Sequence, residues 1–276
     1  MPNQRSVYYL SDRTGITAET LGHSLLTQFD GFEWRKVSIP FIENEEQARE
    51  VAEQINQTAE RDGKRPLVFS TIITSEIRRH IEQANCVIYD FFETFIGSME
   101  QELGQPSAHA VGRSHSVHNT SSYFNRISAI NYSLSNDDGM NLRNFDKADV
   151  ILVGVSRSGK TPTCLYMALQ YGISAANYPL TEEDMETHDL PKALLPYRDK
   201  LFGLTLSAEQ LTQIRQERRP NSRYASLEQC ELELKWQSEL YQRYRLPFID
   251  TTNISIEEIS TTILKQKKLK RRLYGE

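Results

Sequence analysis

Cysteine is scarce in this chain. Cys86, Cys164 and Cys230 are the only three among 276 residues, they stand far apart, and none belongs to a Cys-x-x-Cys pair. A disulfide framework and a structural zinc site are therefore both disfavoured. Long apolar runs are missing too: the longest of note, 150–155, falls far short of the roughly 20 residues a membrane helix needs. There is no basic excess, since 37 acidic residues outnumber 32 basic ones and the formal net charge is −5. A sequence-independent nucleic-acid binder needs a cationic footprint that this balance does not supply. The first residues, Met1-Pro2-Asn3-Gln4-Arg5-Ser6, lead into a strand-like stretch without the apolar core of a signal peptide. The expectation is a cytoplasmic protein whose partners are neither nucleic acid nor membrane.

What is present is ordinary for a folded chain: 38% apolar and 25% charged residues. The length suits two domains, with one large α/β domain still open. Short apolar runs at 7–10, 37–41, 67–69 and 86–89 alternate with helical patterns, among them Ala48, Val51, Ala52 and Ile55 on one helix face that Gly63 would end. The alternation lapses between about 104 and 146, where Tyr123, Ile127, Ile130 and Leu134 keep helical spacing. It resumes with runs at 150–153, 175–179, 201–205 and 247–250, and Ser255 with Glu258 forms a capping-box pattern opening a last helix. Strands alternating with helices imply largely parallel sheets covered on both faces. The expected organisation is two similar α/β halves: an N-terminal domain over 1–105, a connecting segment with an amphipathic helix over 106–145, and a nucleotide-binding domain of P-loop kinase type over 146–276.

Residues 13–21 align without gaps on residues 157–165, with four of nine positions identical and a fifth pairing Thr14 with Ser158. Each segment follows an apolar strand and opens a helix, and each half next supplies a strand ending at proline (Pro40, Pro179). Duplication and chance recurrence of a glycine turn both remain open. On the first reading, the N-terminal half keeps a site's shape without its chemistry, because Ile16 stands where the second half has Lys160 and Asp12 adds negative charge.

Gly154-Val155-Ser156-Arg157-Ser158-Gly159-Lys160-Thr161 fits G-x-x-x-x-G-K-[ST] at every position, between a strand and a helix. In such a loop backbone N–H groups and a helix N-terminus meet phosphate oxygens. Lys160 would reach the terminal phosphates from a solvent-accessible position, Thr161 would place its hydroxyl on Mg²⁺, and Pro162 suits the first helical turn. The alternative is a glycine-rich turn with a chance lysine. Asp137, Asp138 and Asp250 are the acids best placed to orient Mg²⁺ or accept a hydroxyl proton, or else to cap turns. Arg215, Arg218, Arg219 and Arg223 cluster on a helix and the following turn; Arg219 and Arg223 are candidates to close over a transferring phosphoryl group, against a solvated helical face. His109, His115 and His118 have no carboxylate or cysteine at ligand spacing. The run Lys265, Lys267, Lys268, Lys270, Arg271 and Arg272 suits a basic helix end, and the absence of Asn-Lys-x-Asp weakens a GTPase reading.

Taken together, 11–19, Asp90-Phe91-Phe92, Tyr123-Phe124-Asn125-Arg126-Ile127, Asp137-Asp138-Gly139, 154–162, Ala176-Asn177-Tyr178-Pro179 and Ser222-Arg223-Tyr224-Ala225 resemble the bacterial regulatory proteins of phosphoenolpyruvate synthase, relatives of the regulator of pyruvate, phosphate dikinase. The resemblance covers nearly the whole chain. One departure is Asn136, where related sequences often carry histidine, so no acid/base role attaches to it. The resemblance implies a bifunctional serine/threonine kinase and phosphorylase. One activity uses ADP to phosphorylate a threonine of the synthase and inactivate it; the other uses inorganic phosphate to remove that group, releasing pyrophosphate. Phosphoenolpyruvate synthase is the expected partner, a homodimer is left open, and a small-metabolite kinase or a non-catalytic nucleotide sensor are the rivals.

Overall fold

All six residues of strand β5 (Val150–Val155) are buried, and their side chains divide by the two-residue period of a strand. Val150 and Leu152 pack with Cys164, Met167, Phe202, Ile259 and Ile263 on one face, while Ile151 and Val153 pack with Phe145, Ala176, Leu201, Trp236 and Leu240 on the other. A strand covered on both faces reads as a continuous apolar run, and this is why the sequence discloses it. The structure is a computed structural model that describes residues 3–111, 120–187 and 189–272. The chain divides into two units, Met1–Ser116 and Val117–Glu276.

In the first unit, β1 (Asn3–Leu10), β2 (Phe32–Ile39), β3 (Leu67–Ser70) and β4 (Val87–Asp90) alternate with α1 (Ile16–Leu26), α2 (Glu45–Asp62) and α3 (Ser75–Glu82), and α4 (Phe91–Leu103) follows. The sheet is parallel, in the order β2-β1-β3-β4. Tyr8 and Leu10 bury under α2 and α3, and Val7 and Tyr9 under α1. Helix α2 ends at Gly63 in the left-handed region (φ 61°), as its sequence predicts.

The second unit repeats that plan. Its sheet of β5, β6 (Ala175–Leu180), β7 (Leu201–Thr205) and β8 (Phe248–Asp250) is parallel, in the order β6-β5-β7-β8. The two sheets thus share one topology, which places the first strand of each unit beside its second and third. The chain turns to opposite sides of that first strand, and the carboxyl end of such a switch point is where open α/β sheets hold ligands. The remaining helices are α5 (Thr120–Ser135), α6 (Lys160–Tyr171), α7 (Glu182–Glu186), α8 (Ala208–Arg218), α9 (Leu227–Tyr244) and α10 (Ile256–Lys267), the last opened by the Ser255–Glu258 capping box.

Helix α5 packs on α6 and β6 inside the second unit, so this part of the expected connecting segment belongs to that unit's core. The expected inward face is also corrected. Tyr123, Ile127 and Leu134 are exposed, and Ala129, Ser133 and Asn136 are buried. Small side chains let α5 approach α6 closely, and that outweighs the burial its larger residues would offer. Among the described residues, no helix is long and apolar enough to cross a membrane.

Candidate functional site

The turn from β5 into α6 lies at the switch point of the second sheet. Gly154 has no room for a side chain: a Cβ there would sit 2.6 Å from the Leu204 carbonyl oxygen and 2.8 Å from Ser158 Oγ. Gly159 caps α6 in the left-handed region (φ 86°), and Arg157 is held there too (φ 76°) at a conformational cost an arginine seldom bears. Left-handed residues alternating with right-handed ones turn successive N–H groups to one side and make an anion-binding concavity. A cavity of about 240 Å³ opens over the turn, lined by Asp138, Ser156, Arg157, Gly159, Lys160, Thr161, Pro162, Ile214 and Arg218. Three cations against one carboxylate favour an anionic occupant. A larger hollow in the first unit, about 350 Å³, is lined mostly by Leu25, Phe29, Phe32, Trp34, Phe69 and Tyr89 and lacks such convergent polar groups.

Lys160 corrects one expectation. It is only 5% exposed, and its Nζ donates to the Val155 carbonyl at 2.9 Å. Burial pushes its pKa down to about 8, against the opposing pull of Asp138 and Asp137. The ammonium therefore lies beneath the loop rather than in solvent, because the α6 start carries it under the loop's own carbonyls. Ser158 Oγ, also buried, has no hydrogen-bond partner.

The Asp137–Gly139 turn approaches from the other side. Thr161 Oγ1 donates to Asp137 Oδ1 at 2.8 Å, and Asn177 Nδ2 donates to that same oxygen. Asn177 Oδ1 in turn accepts from the Asp138 backbone N–H at 3.0 Å. Asp138 is itself left-handed (φ 47°, ψ 34°), which turns its carboxylate toward the cavity while Asp137 ties down the threonine. Asn177 lies on β6 opposite Leu152 of β5, and the sequence carried it only as part of a family string. Asn136 is buried and spends its amide on the Tyr132 carbonyl at 2.8 Å.

The other candidates lie elsewhere. Asp250 is exposed at the end of edge strand β8, where it accepts from the Thr252 N–H at 2.9 Å and closes a turn. Arg219 and Arg223 are exposed and do not line the cavity, whereas Arg218, one residue earlier on α8, does. Arg215 is fully buried behind the loop, bidentate with Glu233 at 3.1 and 2.6 Å. His109 lies in the first unit beside Glu100, at 3.7 Å; His115 and His118 lie outside the described residues. Among the described residues no cluster of three or more His, Cys, Asp and Glu side chains is placed to hold a metal by itself.

In the first unit, Gly15 caps α1 in the same left-handed region (φ 79°). Ile16 is 58% exposed, and Asp12 is buried with its carboxylate accepting from the Ile73 N–H at 2.9 Å. Burial raises the Asp12 pKa.

The protein is thus of the parallel α/β class, with a glycine loop at a switch point, a buried lysine at the helix start and a threonine tethered to an aspartate, a geometry that suits an anion. The chain belongs to the kinase/pyrophosphorylase family, whose model matches residues 7–264. It is similar to proteins of Nitrosomonas eutropha (55% identical over 272 residues, 99% of each chain), Pseudomonas aeruginosa (54% over 272 residues, 99% of each) and Marinobacter nauticus (53% over 268 residues, 97% of this chain and 99% of that one). Each of the three is provisionally named a phosphoenolpyruvate synthase regulatory protein.

Proposed function

We propose that this protein regulates phosphoenolpyruvate synthase by two opposed phosphoryl transfers at the 154–161 loop. In the kinase direction, the β-phosphoryl group of ADP passes to a threonine hydroxyl of the synthase: the new O–P bond forms, the bond to the leaving phosphate breaks, AMP departs and the hydroxyl proton is released. In the phosphorylase direction, inorganic phosphate attacks the phosphothreonine, pyrophosphate leaves and the hydroxyl is restored. Family membership and the relatives' names support the regulatory role. The observation that carries the chemistry is the buried Lys160 beneath a loop whose cavity Arg157 and Arg218 also line.

In this reading the loop N–H groups and Lys160 hold the diphosphate, and Arg218 meets charge that builds on the transferring oxygens. Asp138, exposed at the cavity wall, accepts the hydroxyl proton of the incoming threonine. The hard oxygen donors Thr161 and Asp137 fit Mg²⁺, which takes one or two protein oxygens and relies on phosphates and water for the rest. When bound, the ion neutralises phosphate charge; Asp137 keeps the Thr161 hydroxyl in place for it.

Incubation with ADP labelled on its β-phosphate and purified phosphoenolpyruvate synthase tests the reading. Label on a synthase threonine supports it. Consumption of ADP with a diffusible acceptor and no second protein points to a metabolite kinase, and binding without turnover to a sensor; either outcome overturns it.

A further inference from the structure

Helix α9 carries Gln229, Glu233, Gln237 and Tyr241 at intervals of four residues, on one line up its side. All four are buried, an arrangement that polar residues seldom take without fixed partners. Their partners are the loop and its strand. Tyr241 OH donates to the carbonyls of Val153 (2.7 Å) and Leu204 (3.2 Å). Gln237 Oε1 accepts from the Val155 N–H at 2.7 Å, and its Nε2 donates to Leu204 at 3.2 Å. The β5–β7 ladder runs only to Val153 opposite Gly203, so Gln237 and Tyr241 bridge the two strands where they part. Glu233 grips Arg215, and Gln229 Nε2 donates to Glu233 Oε1 at 3.0 Å. Arg215 Nη2 donates to the Ser156 carbonyl at 3.1 Å, and Nη1 to the Tyr224 carbonyl at 3.0 Å. Tyr224 closes the circuit: its ring lies 4.2 Å beneath the Arg215 guanidinium, and its hydroxyl is 2.9 Å from Ser156 Oγ.

We propose that the α9 stripe and Arg215 form a clamp that holds the empty loop in its anion-receiving shape, so that Arg215, Glu233 and Gln237 are positioning residues that touch no ligand. The inference rests on the reading of 154–161 as the phosphate loop. Inward-pointing N–H groups repel one another, and Arg157 is conformationally strained, so an unligated loop of this shape relaxes unless it is tied from outside. The clamp ties it mainly at backbone atoms of Val153, Val155 and Ser156, with the Ser156 hydroxyl held by Tyr224. A buried ion pair adds little net stability, but a planar guanidinium held by Glu233 can address Ser156 and Tyr224 together. A lysine ammonium at 215 has no such fork.

The test compares Arg215→Lys and Gln237→Met with the unmodified protein by amide hydrogen exchange and calorimetric titration, after circular dichroism has shown which variants fold. In the ligand-free variants, amides across 153–162 should exchange at least 10-fold faster while those of α10 and the first unit stay unchanged. ADP and inorganic pyrophosphate should weaken by the same factor, since each binds only the ordered fraction, and saturating ADP should restore protection. Loop exchange at the native rate in a folded variant, or acceleration spread evenly over the second unit, overturns the clamp. Should neither variant fold, the unmodified protein decides: a ligand-free Val155 amide protected like the middle of β5 supports the clamp, and one exchanging like the 104–111 loop overturns it. Failure of the phosphate reading shows separately, as an unmodified protein that binds neither ADP nor pyrophosphate.

Discussion

Replacing Lys160 by methionine should stabilise the ligand-free protein while abolishing nucleotide binding. Lys160 is buried as an ammonium, and its pKa falls from 10.5 to about 8 in the folded state. At about 1.4 kcal/mol per pKa unit, that drop represents roughly 3 kcal/mol of native-state cost at neutral pH. Methionine removes the charge at similar volume. It forfeits the bond from Nζ to the Val155 carbonyl, a loss of about 1 kcal/mol, and that carbonyl still accepts from the Ser158 N–H at 3.3 Å. The balance is a gain of about 2 kcal/mol, or roughly 4–8 °C in Tm for a chain of this size.

The pH dependence has a definite sign. Below pH 8 Lys160 is charged in both folded and unfolded chains, and the full cost is present. Between pH 8 and 10.5 the folded protein has released the proton and the unfolded chain has not, so the native protein gains stability as pH rises. The advantage of Lys160→Met should therefore be largest at pH 7 and shrink steadily toward pH 10. Differential scanning calorimetry of both proteins across that range measures it, and groups common to the two cancel in the difference. A variant less stable than the native protein at pH 7, or a gap that ignores pH, would refute the reasoning.

Gly154→Ala should cost about 1–3 kcal/mol in urea denaturation and impair ADP binding, because its Cβ would meet the Leu204 carbonyl at 2.6 Å and push apart strands that α9 holds together. Asp250→Asn should leave phosphoryl transfer intact and shift stability by less than about 0.5 kcal/mol, since Asp250 serves an exposed turn that asparagine can also close; a transfer assay showing lost turnover with ADP binding retained would return it to the chemistry.

Among the described residues the eight strands are legible as apolar runs, and β1, β3, β5 and β7 are covered on both faces. The edges were less so: β2 begins at Phe32, well before its apolar stretch, because Asn3-to-Leu10 pairing with β1 draws polar residues into the ladder. The loop was legible from its glycines and lysine, and Asp138 from its turn. The support behind them was not. Hydrophobic periodicity reads apolar stripes, and the stripe that matters on α9 is polar, so it looks like a solvated face. Its contacts also span great sequence distances, as between Tyr241 and Val153. The spacing of the four arginines does not tell which of them faces the cavity: α8 turns Arg218 to it, sends Arg215 inward and leaves Arg219, just past its end, exposed. A one-residue step rotates a side chain by about a quarter turn of helix, more than spacing alone can resolve.

The shared topology makes the number of nucleotide sites a sharp question, and the proposed reading predicts one per chain. Both units offer a parallel sheet of the same order, a left-handed glycine and a helix N-terminus. In the second unit, Arg157 is left-handed, Lys160 lies beneath the loop and Arg218 borders the cavity. In the first, Arg13 is not among the described residues with positive φ, Ile16 points its apolar chain outward, and the buried Asp12 is bonded to Ile73. A diphosphate there would lose a charge-assisted contact worth about 1.5–3 kcal/mol and would face a carboxylate besides. Calorimetric titration with ADP and Mg²⁺ should accordingly give one site per chain, and Lys160→Met should remove the whole signal from a protein that is still folded. Two sites of similar affinity, or binding that survives in the variant and is lost on altering Thr14 or Gly15, would show that the first unit kept the chemistry as well as the shape.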